Sequence, residues 1–177
     1  DKRPYPPGEH GRTRRRGNPS EYLLQLQEKQ KARFSYGLSE KQFRRVYEEA
    51  SRRQGVTGEN MLRFLELRLD NVVYRLGLAT SRPQARQLVR HGHFRVNDKR
   101  ADVPSYSLKT GDAVSVQERS NKKASILYAM EEVKGRGIPE WLEFDANAMT
   151  GRVTTLPTRD QINLPVQEQL IVELYSK

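Results

Sequence analysis

The hydrophobic period of this chain changes at His93, and that change limits the folds open to it. Before His93 the apolar residues recur at helical spacing, as in Phe43, Val46, Tyr47 and Ala50, and again in Leu62, Leu65, Leu69, Val72, Val73 and Leu76. After it, Phe94 and Val96 alternate with His93 and Arg95, and Asn97-Asp98 signals a turn into Lys99–Val103. Helices followed by short strands make an α+β protein with an antiparallel sheet.

The remaining elements follow from their punctuation. Ser20 caps a helix from Glu21 to about Phe34 whose apolar residues are Tyr22, Leu23 and Leu26. Ser39 and Gln42 form a capping box for a second helix ending at Gly55. The long pattern after Gly58 closes at Gly77, and Asp70 is placed to cap a break within it. Ser81, Pro83 and Gly92 bound a short helix, Arg82 to His91. Ala113–Val116 reads as a strand and Asn121–Lys134 as a helix with Ile126, Met130 and Val133 inward. Trp141–Asp145 and Arg152–Leu156 form a hairpin around Asn147–Gly151, and Val166–Tyr175 reads as a closing helix.

Charge supplies the functional signal. The 177 residues carry a net charge of +10, and 31% are charged against the ~25% of an ordinary domain. Residues 1–100 hold 23 Lys/Arg against 11 Asp/Glu, whereas the rest holds 9 against 11. A merely solvated basic face would spread its charge, so this concentration points to a surface for a polyanion. Arg82, Arg86 and Arg90 stand four apart on one helix, and no acid lies between Asp70 and Asp98 to neutralise them. Residues 1–18, broken by Pro and Gly, form an arm with a cluster at Arg12, Arg14, Arg15 and Arg16. Lys29, Lys31 and Arg33 crowd the end of the first helix, where part of their role is to complement its dipole. The second helix shows Lys41, Arg44, Arg45, Arg52 and Arg53 outward. Pairing of Glu48 with Arg52 and Glu49 with Arg53 leaves Lys41, Arg44 and Arg45 as the stronger candidates.

Other chemistry finds little support. There is no cysteine, so neither disulfides nor thiolate metal sites can form in these residues. His91 and His93 make a His-x-His pair, but no further ligand follows at zinc spacing. Gly135-Arg-Gly137 is too short for a nucleotide fingerprint, and no nucleophile is paired with a base. No apolar run reaches the ~20 residues of a membrane helix, and no signal peptide opens the chain, so a cytoplasmic protein without membrane contact is expected. Folded RNA suits a helix of arginines beside a hairpin with Lys99 and Arg100, and Tyr106 is the aromatic best placed to stack on a base.

Arg68-Leu-Asp-Asn-Val-Val-Tyr-Arg75, Ser81-Arg-x-x-Ala-Arg-x-Leu-Val89, His91-Gly-His93, Val96-Asn97 and Pro104-Ser-Tyr106 resemble the S-four RNA-binding domain. Arg3-Pro-Tyr-Pro-Pro-Gly8, Glu28-Lys-Gln-Lys31, Gln42-Phe-Arg44 and Val172-Glu-Leu-Tyr-Ser-Lys177 extend the likeness to the bacterial small-subunit ribosomal proteins of the S-four family, over nearly the whole chain. The resemblance implies a basic arm at 1–18, a helical domain at 19–66 joined by 158–177, and an inserted S-four domain at 67–157. It implies a non-enzymatic assembly protein that binds a multi-helix junction in the 5′ domain of small-subunit (16S) rRNA. The expected RNA ligands are the basic residues already named together with His91, His93, Asn97, Ser105 and Tyr106. The family's partners are also a neighbouring protein of the S-five type and mRNA where it enters the subunit, with effects on decoding accuracy and, in some members, repression of their own operon. Many relatives begin with a further segment that sometimes holds a four-cysteine zinc site. That segment is not among these residues, so no cofactor is expected here and zinc in a preceding segment stays open. S-four domains also serve as accessory modules of RNA-modifying enzymes, which is the alternative reading; a DNA-binding helix-turn-helix regulator is a third.

Overall fold

The computed structural model describes Tyr5, Gly8, Gly11 and residues 18–135 and 137–176. The arm expected at 1–18, with Arg12, Arg14, Arg15 and Arg16, otherwise lies outside the described residues. The first half is helical: α1 (Glu21–Ser35), α2 (Glu40–Ser51), α3 (Thr57–Glu66), α4 (Leu69–Arg75) and α5 (Arg82–Arg90). Strands β1 (Phe94–Val96), β2 (Lys99–Ala101) and β3 (Ala113–Val116) follow, then α6 (Ala124–Glu132), β4 (Leu142–Asp145), β5 (Thr150–Val153) and α7 (Glu168–Ser176). The α+β class read from the change of period is therefore the observed one.

Serine caps start α1, α2 and α5. The Ser20, Ser39 and Ser81 hydroxyls accept from the backbone amides of Leu23, Gln42 and Gln84, and Gln42 completes its box on the Ser39 amide. The break in the long pattern falls at Leu67-Arg68, two residues before the expected cap. Asp70 lies inside the first turn of α4, where its carboxylate accepts from the Asn71 amide and takes two bonds from Arg68, at 3.0 and 3.1 Å. The Tyr106 and Pro104 carbonyls satisfy the first amides of α4, those of Leu69 and Asp70. Backbone from a distant loop thus starts this helix, which local sequence does not show.

The five strands form one antiparallel sheet in the order β2-β1-β3-β5-β4. Asn97 and Asp98 both have positive φ (47° and 63°), the two-residue geometry that turns β1 directly into β2. The last hairpin pairs Leu142 with Val153, so β5 ends before the expected Leu156 and its loop is Ala146–Met149. Met149, at φ 47°, closes that loop. α6 begins three residues later than Asn121, after a 3-10 turn at Glu118–Ser120.

Two apolar clusters organise the interior. One joins α4, α5 and α6 to the sheet through residues such as Val72, Leu76, Val89, Phe94, Val114, Ile126, Trp141 and Val153. The other gathers Ala32, Phe43, Met61 and Leu65 with Ile162, Val166 and Ile171 from the C-terminal segment. In α1 the buried residues are Gln25, Lys29 and Ala32, while Tyr22 is 58% exposed; the expected apolar stripe of Tyr22, Leu23 and Leu26 is not its buried face. Acceptors on other helices explain the difference, because Gln25 Nε2 donates to Glu173 of α7 and Lys29 Nζ to Glu40 of α2.

Gly151 in β5 faces Leu76, and a Cβ there would lie 2.4 Å from Leu76 Cδ1. Leu76 is itself buried in the sheet cluster and has little room to yield. Gly151→Ala is expected to destabilise the chain by about 1–3 kcal/mol, read as a lowered midpoint in urea with an unchanged slope.

Candidate nucleic-acid interface

Joining the two clusters is a buried polar network. Glu66, at the end of α3, is fully buried and accepts from the Tyr36 hydroxyl at 2.6 Å, from Asn71 Nδ2 at 2.8 Å and from Arg75 Nη2 at 2.7 Å. Asn71 passes the connection on, its Oδ1 accepting from Arg82 Nε at 2.8 Å. The Arg82 guanidinium lies over the rings of Tyr36 and Tyr74, at 4.9 and 4.7 Å from their centroids. Burial pushes the Glu66 carboxyl upward, but the hydrogen bonds and charge of Arg75, with Tyr36 and Asn71, hold it below its ordinary 4.5. Burial, followed by the Glu66 charge, raises the Tyr36 phenol well above its ordinary value.

This network corrects the reading of the arginine helix. Arg82 is consumed by the joint. Arg86 Nη1 donates to the Gly37 carbonyl at 2.9 Å, a second tie between α5 and the loop after α1. Only Arg90 of the three is exposed, and it has no protein partner among the described residues. Three equivalent arginines awaiting a polyanion are in fact two struts and one free cation.

Several other expected ligands are also occupied. Lys29 is buried against Glu40 at 2.8 Å; Arg33 donates to Gln30 and to the Leu38 carbonyl; Lys31 pairs with Glu28. Asn97 holds the end of β1 to β3, its side chain accepting from the Ala113 amide and donating to Asp112. On α2, Glu48 meets Arg44 at 3.3 Å rather than Arg52, and Glu49 meets Arg53 at 3.9 Å. Such exposed pairs bind weakly and yield readily to a polyanion. Lys41, Arg45 and Arg52 are exposed without an ion pair among the described residues.

The free cations fall along one connected surface. A Cβ at Gly92 would meet the Arg100 side chain at 2.8 Å, so that guanidinium packs on the exit of α5 beside Arg90 and His91. Its own acid, Asp102, is 3.7 Å away and exposed. A concavity of about 390 Å³ brings Lys99 and Arg100 together with Tyr106, which is 44% exposed. Ser105, also exposed, precedes it in the loop that starts α4. Ser107–Thr110, with Lys109 among them, then line an open groove of about 850 Å³ together with Arg52, Arg53 and Arg63, the last bonded to the Pro157 carbonyl and to Asn60. A cationic path therefore runs from Arg90 and His91, across the hairpin and Tyr106, to α2. Arg63 and Lys109 escaped sequence reasoning because nothing local distinguishes them. His93 sits apart, its Nδ1 2.9 Å from Ser120 Oγ.

The surface offers positive charge, an exposed ring and hydrogen-bond donors. Among the described residues no group of three or more His, Asp or Glu is placed to hold a metal, and no helix is long and apolar enough to cross a membrane.

Residues 1–66 match the family model for the ribosomal protein S4/S9 N-terminal domain, and residues 67–114 match that for the S4 domain. The chain is 58% identical over 177 residues to the small ribosomal subunit protein uS4 of Rubrobacter xylanophilus, covering 100% of this chain and 86% of that protein. The chain belongs to the uS4 family. It is likewise 59% identical to the uS4 protein of Acidothermus cellulolyticus over 177 residues (100% of this chain, 84% of that one). It is 58% identical to that of Geotalea daltonii over 176 residues (99% and 84%). The family is one of structural, non-enzymatic constituents of the small ribosomal subunit. Its signature around Arg68–Arg75 and Ser81–Val89 coincides with the joint: Arg68, Asp70, Asn71, Arg75 and Arg82 all serve the interior or the contact between clusters.

Two measurements separate strut from ligand. Arg82→Ala is expected to cost about 1–3 kcal/mol by leaving Asn71 unpaired and the rings uncovered. Arg90→Ala should stay within about 0.5 kcal/mol. Equal denaturation midpoints for the two would remove the distinction. Glu66 supplies the second test. Its folded pKa lies below the unfolded one, so its contribution is fully present at neutral pH and is lost as pH falls through the folded value. Glu66→Gln is expected to lower the melting temperature at pH 7 and to flatten its decline on acidification.

Proposed function

We propose that the chain is a primary rRNA-binding protein of the small subunit that clamps a multi-helix junction in the 5′ domain of 16S rRNA. The observation that carries this is the cationic path from Arg90 to α2, whose two ends lie on separate apolar clusters locked by the Glu66 network. Fixing the two ends relative to each other lets one chain hold converging RNA backbones at a set separation. Lys41, Arg45, Arg52, Arg90, Lys99, Arg100 and Lys109 would neutralise phosphates, and Tyr106 would stack on an unpaired base. Arg44 and Arg53 would join them by exchanging carboxylates for phosphates. Arg12, Arg14, Arg15 and Arg16 are assigned to RNA on charge and family resemblance alone.

As folding units we read 19–66 with 158–177 as the helical domain and 67–157 as the inserted S-four domain. The separation of the apolar clusters supports that division. Contact with the S-five-type neighbour and with mRNA where it enters the subunit, a bearing on decoding accuracy, and a cytoplasmic location rest on family membership. An accessory module of an RNA-modifying enzyme is the second reading, and the match of residues 1–66 to a ribosomal family model disfavours it.

Filter binding to a 16S 5′-domain fragment tests the path. Replacing Arg45, Arg52 and Lys109 together by Ala is expected to weaken binding and to leave the melting temperature unchanged. The slope of log K against log salt should fall by about 1 for each phosphate that is no longer neutralised. Unaltered affinity and slope would refute the assigned surface. Efficient displacement of the fragment by duplex DNA would favour a DNA-binding protein instead.

A further inference from the structure

A second cationic cluster lies where the end of α5 and the start of β1 meet the turn leading into α6. The His93 carbonyl accepts from the Gln117 amide at 2.9 Å, and the Gln117 carbonyl accepts from the Ser120 amide at 2.7 Å. The Ser120 carbonyl in turn accepts from the Lys123 amide at 3.0 Å. This run of bonds holds Arg119 and Lys123 beside the imidazole of His93. The His91 ring is 6.2 Å from it, centroid to centroid. Ser120 Oγ occupies Nδ1 of His93, so the nitrogen left for an external group is Nε2. None of His91, His93, Arg119 or Lys123 has an ion-pair partner among the described residues, and Glu118, the acid of the same turn, is exposed.

Like charges held together without an acid repel one another, and an anion relieves them. We propose that His93, His91, Arg119 and Lys123 form a phosphodiester site for RNA whose occupation draws a proton onto the His93 ring. The site continues the path described above beyond His91 and uses two residues, Arg119 and Lys123, that sequence reasoning did not single out. It rests on the ribosomal reading for the identity of its RNA. In the free chain, partial burial and then the charges of Lys123, His91 and Arg119 hold the His93 pKa below its ordinary 6.5. A phosphate oxygen at Nε2 reverses the sign of that field. The bound ring then stays protonated, Nε2–H donating to phosphate and Nδ1–H to Ser120. The proton comes from solvent, and no covalent bond changes.

Affinity for RNA therefore rises as pH falls. Uptake of half a proton corresponds to roughly threefold tighter binding per pH unit. Calorimetry of the full chain with the 16S 5′-domain fragment at pH 6.5, in two buffers of different ionisation enthalpy, is expected to show proton uptake that is smaller in His93→Gln. Comparing the two proteins cancels uptake by the RNA itself and by the other histidines. Equal uptake in both would overturn the proposal. Lys123→Ala gives an independent check: the His93 ring, followed by NMR in the free chain, should titrate at higher pH, while RNA affinity falls and the salt slope lessens by about 1. A variant with unchanged affinity and slope would likewise overturn it. If the wild-type chain binds the fragment and these contrasts are missing, this site alone is wrong. If the wild type does not bind the fragment at all, the ribosomal reading falls and the site falls with it.

Discussion

A single buried carboxylate sets the geometry of this protein. Glu66 ends α3, and without its four donors from Tyr36, Asn71 and Arg75 it would be an unpaired charge in the interior. Breaking a buried ion pair by removing one partner costs about 3–5 kcal/mol. The arrangement that satisfies Glu66 also dictates where α4 and α5 sit relative to α1. Tyr36 reaches across from the loop after α1, and Asn71 hands the connection to Arg82, whose guanidinium covers both Tyr36 and Tyr74. The exposed cationic path is assembled on that joint rather than beside it.

The same joint divides the basic residues into two populations. Lys29, Arg33, Arg68, Arg75, Arg82 and Arg86 have their donors occupied by the protein, through carboxylates, carbonyls or amide side chains. Arg45, Arg52, Arg90, Lys99 and Lys109 keep theirs outward. A net charge of +10 thus understates the specialisation, because some basic residues hold the interior together while others face solvent. Sequence spacing alone cannot tell the two apart: Arg82 and Arg90 lie on one helix, eight residues apart.

Where local chemistry decides, the sequence was legible. The serine caps, the Asn97-Asp98 turn, Ala113–Val116 and the change of period at His93 each rest on neighbouring residues, and each is where expected. What escaped was set by distant partners. The break before α4 falls at Leu67-Arg68 because the Pro104 and Tyr106 carbonyls receive its amides, and the buried side of α1 is polar because Glu173 of α7 and Glu40 of α2 accept from Gln25 and Lys29. Asn97 was expected as an RNA ligand from the family resemblance, and its side chain also ties β1 to β3 through the Ala113 amide and Asp112. Whole-chain resemblance anticipated the family, although the motifs that carried it mark the joint more than the RNA surface.

The position of α7 bears on how such a chain is made. The sheet cluster is complete in sequence once Val153 has been added, whereas the helical cluster awaits Ile162, Val166 and Ile171. During synthesis from the N-terminus, the hairpin that carries Lys99 and Arg100 can therefore find its packing while α1, α2 and α3 still lack their final partner. Tyr175, stacked on Tyr47 at 4.7 Å and bonded to Glu40, then closes the helical part. Helices early in the sequence are thus sealed by residues more than a hundred positions later.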